Sequence, residues 1–181
     1  MIKRFALLSC LFLVMLQTQA QFDTAFVKKN IRSCADSMMH GFRTRNWDLF
    51  TRYTYPAIVG SMGGAKEYSL YVGRMFSQMP DSAWKKYHPG KVLQVVRSGR
   101  DLQAVIELNS ILEWQGTRLT STSYLIGESW DNGLFWTFFD SQGDAESSRQ
   151  VNANLSPDLI IPKTQEKSEP LTKAPALKKA N

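Results

Sequence analysis

One carboxylate, two histidines and a small set of hydroxyls are the side chains of this sequence whose types and spacing suit chemistry. Asp140 closes an alternating stretch and falls, with Trp136 and Phe138, on the face expected to carry leucines. It is the only acid expected on that face. A buried aspartate has a raised pKa and serves as a general base or a ligand anchor. At a solvated rim it would instead cap the following turn. Ser110, Ser121 and Ser123 share the face. Small hydroxyls amid leucines leave room and supply hydrogen bonds, as a ligand pocket requires. Tyr53, Tyr55 and Trp136 complete a candidate binding set; in the alternative they are ordinary aromatic core and the serines satisfy backbone or water.

The histidines divide by position. Asp36 and His40 stand four apart, as a catalytic dyad on a helix would, but helical arithmetic turns both away from the apolar stripe. His88 lies beside Trp84 and Tyr87 in a segment expected to be a loop. Acid/base chemistry of the dehydratase kind would need it to meet Asp140. Two separated histidines and a thiol make no metal site. No phosphate-cradling loop, nucleophile elbow or dinucleotide fingerprint occurs, so no cofactor is implied.

The elements that must position these residues follow from hydrophobic period. Val27, Ile31, Cys34, Ala35, Met38 and Phe42 predict one amphipathic helix over residues 23–45. Cys34 sits on its apolar side, as a small core residue. Asn46 caps a short helix through Trp47-Asp48-Leu49-Phe50. Residues 56–59 read as extended, 60–64 as a flexible turn, and 65–79 as a third helix burying Tyr68, Tyr71, Val72, Met75, Phe76 and Met79. Residues 80–90 read as a loop.

From residue 91 the period becomes two. Segments 91–98, 101–114, 117–130 and 134–140 predict four antiparallel strands, with turns at Gly99-Arg100, Gln115-Gly116 and Asp131-Asn132-Gly133. A two-residue turn at Gln115-Gly116 sets Trp114 against Thr117, Ser110 against Ser121, Leu108 against Ser123 and Ile106 against Leu125. Glu113 then faces Arg118 on the outer side, a favourable cross-strand pair. Val105, Ile111, Phe135 and Phe139 form a candidate outer apolar patch. Helices followed by hairpin strands make an α+β fold. Residues 141–154 hold a short helix at most, residues 155–162 carry enough apolar side chains to dock on the body, and residues 163–181 are too polar to fold, so a disordered tail is expected.

Asn46-Trp47-Asp48-Leu49-Phe50, then Tyr55-Pro56-Ala57-Ile58-Val59, then Gly63-Gly64 before a helix, and long strands ending in Phe138-Phe139-Asp140, resemble the nuclear transport factor 2-like superfamily over about residues 23–140. The resemblance implies N-terminal helices packed on a strongly curved, cone-like antiparallel sheet. It covers polyketide-cyclase-like proteins, ketosteroid isomerase and scytalone dehydratase, and mixes enzymes with binding domains, so it does not transmit function.

Residues 1–20 carry the pattern of a cleaved signal peptide: Lys3-Arg4, an apolar run over 5–16, and Thr18 and Ala20 before the cut. That run, about twelve residues, is short of the roughly twenty that cross a bilayer. The expected product is exported, periplasmic or extracellular, with Cys34 its single thiol and no internal disulfide. Of the formal charge of +6, two units leave with Lys3 and Arg4. Another two belong to residues 155–181, where five lysines face Asp158, Glu166 and Glu169. A body carrying only +2 lacks the basic face of a nucleic-acid binder, and no nucleic-acid partner is expected. The reading is a non-catalytic exported domain that binds a small, partly apolar molecule or a peptide in its cavity. The alternatives are an isomerase, dehydratase or cyclase using Asp140 as base with Tyr53, Tyr55 or His88 as proton donor, and a homodimeric partner-binding subunit using the outer sheet face.

Overall fold

The computed structural model describes residues 24–171; the expected signal peptide lies outside them. The first helix, α1 (Thr24–Arg43), buries the whole expected stripe and Met39 besides. At its end the chain turns sharply, because Gly41 has no side chain: a Cβ there would stand 2.7 Å from the Phe50 backbone nitrogen. Asn46 caps α2 (Trp47–Arg52), its Oδ1 accepting the Leu49 N–H at 3.0 Å.

Residues 56–59, expected to be extended, instead form α3 (Pro56–Ser61), with Pro56 in the first turn, where its missing N–H costs nothing. The extended segment comes just before. Tyr53 O accepts from Phe138 N at 2.7 Å, and Tyr55 N donates to Phe138 O at 2.8 Å. The next helix, α4 (Ala65–Met75), is shorter than expected and rotated. Ser69 bonds Thr51 at 2.8 Å and Gly73 lies against the Trp47 ring, which leaves Tyr71 and Met75 about half exposed rather than buried.

A single 3-10 turn (Asp81–Ala83) leads into β1 (Trp84–Ser98), so most of the expected loop is strand. Pro89 is tolerated because β1 is an edge strand. Gly90 admits Glu107 and Asn109 where any Cβ would clash, and the register shifts between Pro89 and Val92. These irregularities bend the strand. β2 (Asp101–Trp114) and β3 (Thr117–Ser129) pair in the expected register throughout, and Arg118 Nε donates to Glu113 at 2.7 Å. β4 (Thr137–Asp140) sets Asp140 opposite Leu125, the register given by a turn at Asn132-Gly133.

Helices thus precede a five-stranded, curved, open antiparallel sheet, in an α+β fold. Its inner face buries Leu102, Ala104, Ile106, Leu108, Leu125, Trp136 and Phe138 against α1.

The outer face departs from expectation. Val105 and Phe139 do not form an exposed patch; with Tyr124 and Ile126 they are buried under Leu155, Leu159 and Ile161. A short helix, α5 (Ala145–Val151), leads into this covering segment. Two glutamine side chains fasten its backbone. Gln103 donates to Asn154 O at 3.1 Å and accepts from Ser156 N at 2.8 Å; Gln94 does the same with Asp158 O and Ile160 N, each at 2.8 Å. Buried Glu128 accepts from Gln103 and Asn152, both at 3.0 Å. The expected disordered tail is also corrected in part, since β5 (Gln165–Pro170) pairs with Thr117–Thr122 of β3. Short β4 covers only Leu125–Glu128, so that edge is free for backbone bonds that need no apolar side chain.

Burial distinguishes the two glutamine clasps. Gln103→Ala should cost about 2–4 kcal/mol, because it strands buried polar groups, whereas Gln94→Ala at the wet rim should cost about 1 kcal/mol or less. Urea unfolding of both variants measures the difference; equal losses would contradict it.

Candidate functional site

Between α1, the α3–α4 region and the inner sheet face lies a cavity of about 350 Å³. Met38, Met39 and Phe50 give it apolar walls, with Leu125 and Phe138 from the sheet. Polar groups converge on the space from three directions: Asp140 from the end of β4, Tyr87 from β1, and Tyr68 with Tyr71 from α4.

Asp140 closes a turn and also borders the cavity. Its Oδ1 accepts the Gln142 N–H at 2.8 Å, which closes a turn in which Gln142 takes a φ of 57°. Its carboxyl also faces the cavity. Burial raises its pKa above the ordinary aspartate value, partly opposed by the hydrogen bonds from the Gln142 backbone and the Ser123 side chain, which favour the charged form.

The tyrosines respond to the same enclosure. Burial pushes the Tyr87 hydroxyl well above its usual range, and the negative charge of Asp140 and then Tyr68 add to the shift. Tyr68 is raised by burial too, against the effect of its hydrogen bond with Thr54. Both phenols therefore remain protonated at neutral pH, as hydrogen-bond donors beside a carboxylate.

Only part of the expected binding set comes together here. Ser123 reaches the site through its bond to Asp140. Ser110 and Ser121 are directly opposite each other, Oγ to Oγ at 2.7 Å, and do not line the cavity. Trp136 is fully buried core, its indole N–H bonded to Gly133 O at 3.1 Å. Tyr53 stacks on Phe135, ring centroids 5.3 Å apart. Tyr55 lies on the other side of the sheet, against Phe139 and Trp130, where burial and then the Glu128 charge raise its hydroxyl to about 12. The chain crosses the sheet edge at Thr54, so neighbouring tyrosines diverge.

His88 does not meet Asp140. On β1 it pairs with Asn109 of β2, while Tyr87 beside it pairs with Ser110, and alternation sends the two side chains to opposite faces. Asp36 and His40 are exposed, as expected. Cys34 is buried, and burial pushes its thiol up, which suits an inert core residue. Among the described residues no group of three or more His, Cys, Asp or Glu side chains could hold a metal ion.

Tyr87 was hidden by the expectation of a loop over residues 80–90. Extending the alternation of β1 back to Trp84 would have placed it opposite Leu112, already on the inner face; the register shifts between Pro89 and Gln94 move its partner to Ser110. Tyr68 was in the expected apolar stripe of its helix, but as core.

Comparison of the chain with protein-family models, with curated proteins and with solved structures gives no match. Function must be argued from the cavity.

The raised Asp140 carboxyl makes a signed prediction. Because burial raises the native pKa, the ionised carboxyl costs more in the folded protein than in the unfolded chain. As the pH falls through its raised native value the folded protein takes up the proton first, so the cost shrinks from there and is gone once the unfolded group is protonated too. Asp140→Asn should thus melt no lower than the wild type at pH 7, with any advantage shrinking toward pH 4. Thermal melts across that range check it; a large loss at pH 7 alone would contradict it.

Proposed function

We propose that this chain is an exported, non-catalytic binding domain of nuclear transport factor 2-like architecture that holds one small, partly apolar molecule in the cavity at Asp140. The observation that carries the reading is one carboxylate in a space of about 350 Å³ walled mainly by apolar and phenolic side chains, with Thr54, Ser61 and Gln142 the other polar members of its lining. Such a volume is near the lower end for ligand sites and suits a one- or two-ring body. Asp140, held by the Gln142 amide at 2.8 Å, is a fixed acceptor for a ligand hydroxyl, amide or amine. Tyr68 and Tyr87 supply donors in return. The element order, with helices preceding a curved open sheet, supports the architecture. The signal-like residues 1–20 support export.

A second reading rests on one observation, the raised carboxyl beside two protonated phenols. Asp140 would take a proton from the carbon next to a ketone, while Tyr87 or Tyr68 donates a hydrogen bond to the developing enolate oxygen. These donors replace Tyr53, Tyr55 and His88, which the geometry leaves elsewhere.

The two readings separate with simple probes. Binding predicts that 2-naphthol raises the melting temperature, that 2-methoxynaphthalene does so less, and that Asp140→Leu weakens 2-naphthol about tenfold, the worth of a hydrogen bond to a charged group. Lack of any difference between the two probes would refute the anchor role. Catalysis predicts that 2-tetralone in D₂O gains deuterium above the buffer rate, and that Asp140→Asn abolishes the gain. Exchange at the buffer rate would reject the enzyme.

A further inference from the structure

A second cleft, of about 260 Å³, opens on the far side of Tyr87, between the C-terminal end of α1, α2, the end of α4 and the start of β1. Its chemistry differs from that of the first. Five aromatic side chains meet here: Phe42 lies 5.0 Å from Phe76, 5.4 Å from Trp84 and 4.7 Å from Tyr87 between ring centroids, and Trp47 stacks on Phe76 at 5.9 Å. Phe42 alone of the five is buried; the other four keep part of their surface open. Flat, rigid rings with free surface are what a planar ligand stacks on.

Charge decides the sign of that ligand. Arg43, Arg45, Lys85 and Lys86 line the cleft against a single carboxylate, Asp81. Arg45 is already committed: its Nε holds Asp81 at 2.6 Å, and its other nitrogens donate to Phe76 O and Met79 O. Lys85 leans toward Glu113 at 3.6 Å. That leaves Arg43, with one long bond of 3.3 Å to Tyr87 O, and exposed Lys86, for which no ion pair is present among the described residues. An aromatic wall alone would also suit a quaternary ammonium. Under this excess of cations such a ligand is repelled and an anion attracted. A guanidinium fork matches the plane of a carboxylate.

We propose that this cleft is a binding site for a small planar aromatic carboxylate, its ring on Trp84 and Phe76 and its charge on Arg43 and Lys86. The site is independent of the ligand assigned to the Asp140 cavity.

The test is calorimetric titration of the full mature chain with 2-naphthoate, its neutral analogue 2-naphthylmethanol, and the cation 2-naphthylmethylammonium. Read in the Asp140→Leu chain, where the first cavity no longer holds the alcohol or the ammonium through its carboxylate, the expected order is naphthoate at least tenfold tighter than the alcohol, with the ammonium weakest. Arg43→Gln combined with Lys86→Gln, both exposed positions, should remove the preference for the anion, a loss of roughly tenfold. Asp140→Asn should leave naphthoate binding unchanged, which separates this site from the first cavity. No binding by the wild type, equal affinity for acid and alcohol, or loss of naphthoate binding in Asp140→Asn would each overturn the proposal.

Discussion

Pairing of β2 with β3 runs unbroken from Leu102↔Ser129 to Trp114↔Thr117. Side chains alternate along a strand, so this one register assigns every residue of both strands to a face. Slipped by one residue, Gln103 and Glu128 would point into the apolar layer under α1, and Ile106 and Leu125 would leave it. The tight turn at Gln115-Gly116, with φ of 49° and 81°, fixes the register at one end. The Glu113–Arg118 pair reinforces it. The Asp140 cavity and the fastening of the C-terminal segment are both consequences of that choice of face.

Much of this was legible in the residues. Period-two alternation and two-residue turns located the strands and their partners, because each rung is set by its neighbours. The helix over Thr24–Arg43 was legible from six apolar positions at one spacing. What escaped depended on contacts far apart in sequence. Ile58 and Val59 favour strand by type, yet Pro56 starts a helix and Ile58 packs on the outer cluster. Pro89-Gly90 looks like a loop, although an edge strand accepts both. Gln165–Pro170 has no apolar signal at all, since backbone pairing and the charge of Arg118 facing Glu169 suffice to join it to β3.

The candidate site was legible in the same uneven way. Asp140 and Ser123 were found by register, which is a local rule. Tyr53, Tyr55 and Trp136 were grouped with them because aromatic type says nothing of direction. A single bridge, Thr54↔Phe138, turns Tyr53 and Tyr55 to different surroundings, and nothing in the residue types foretells it. Conversely, Tyr87 gained its place only once β1 was seen to begin at Trp84. Closing a turn and bordering a cavity are not exclusive positions for an aspartate: the turn amide holds one carboxyl oxygen while the side chain still lines the space.

The covering of the outer face by Leu155, Leu159 and Ile161 has a bearing on the order of assembly. A chain made from its N-terminus exposes α1 and the first strands early, and those can begin to collapse on one another. The other half of the core cannot close until residues past Ile161 have emerged. Until then Glu128 and Gln103 remain hydrated and Val105, Tyr124 and Ile126 stay open. Chains still short of Ile161 therefore lack the cover of their outer face, and that half of the core depends on a segment made well after the strands it protects.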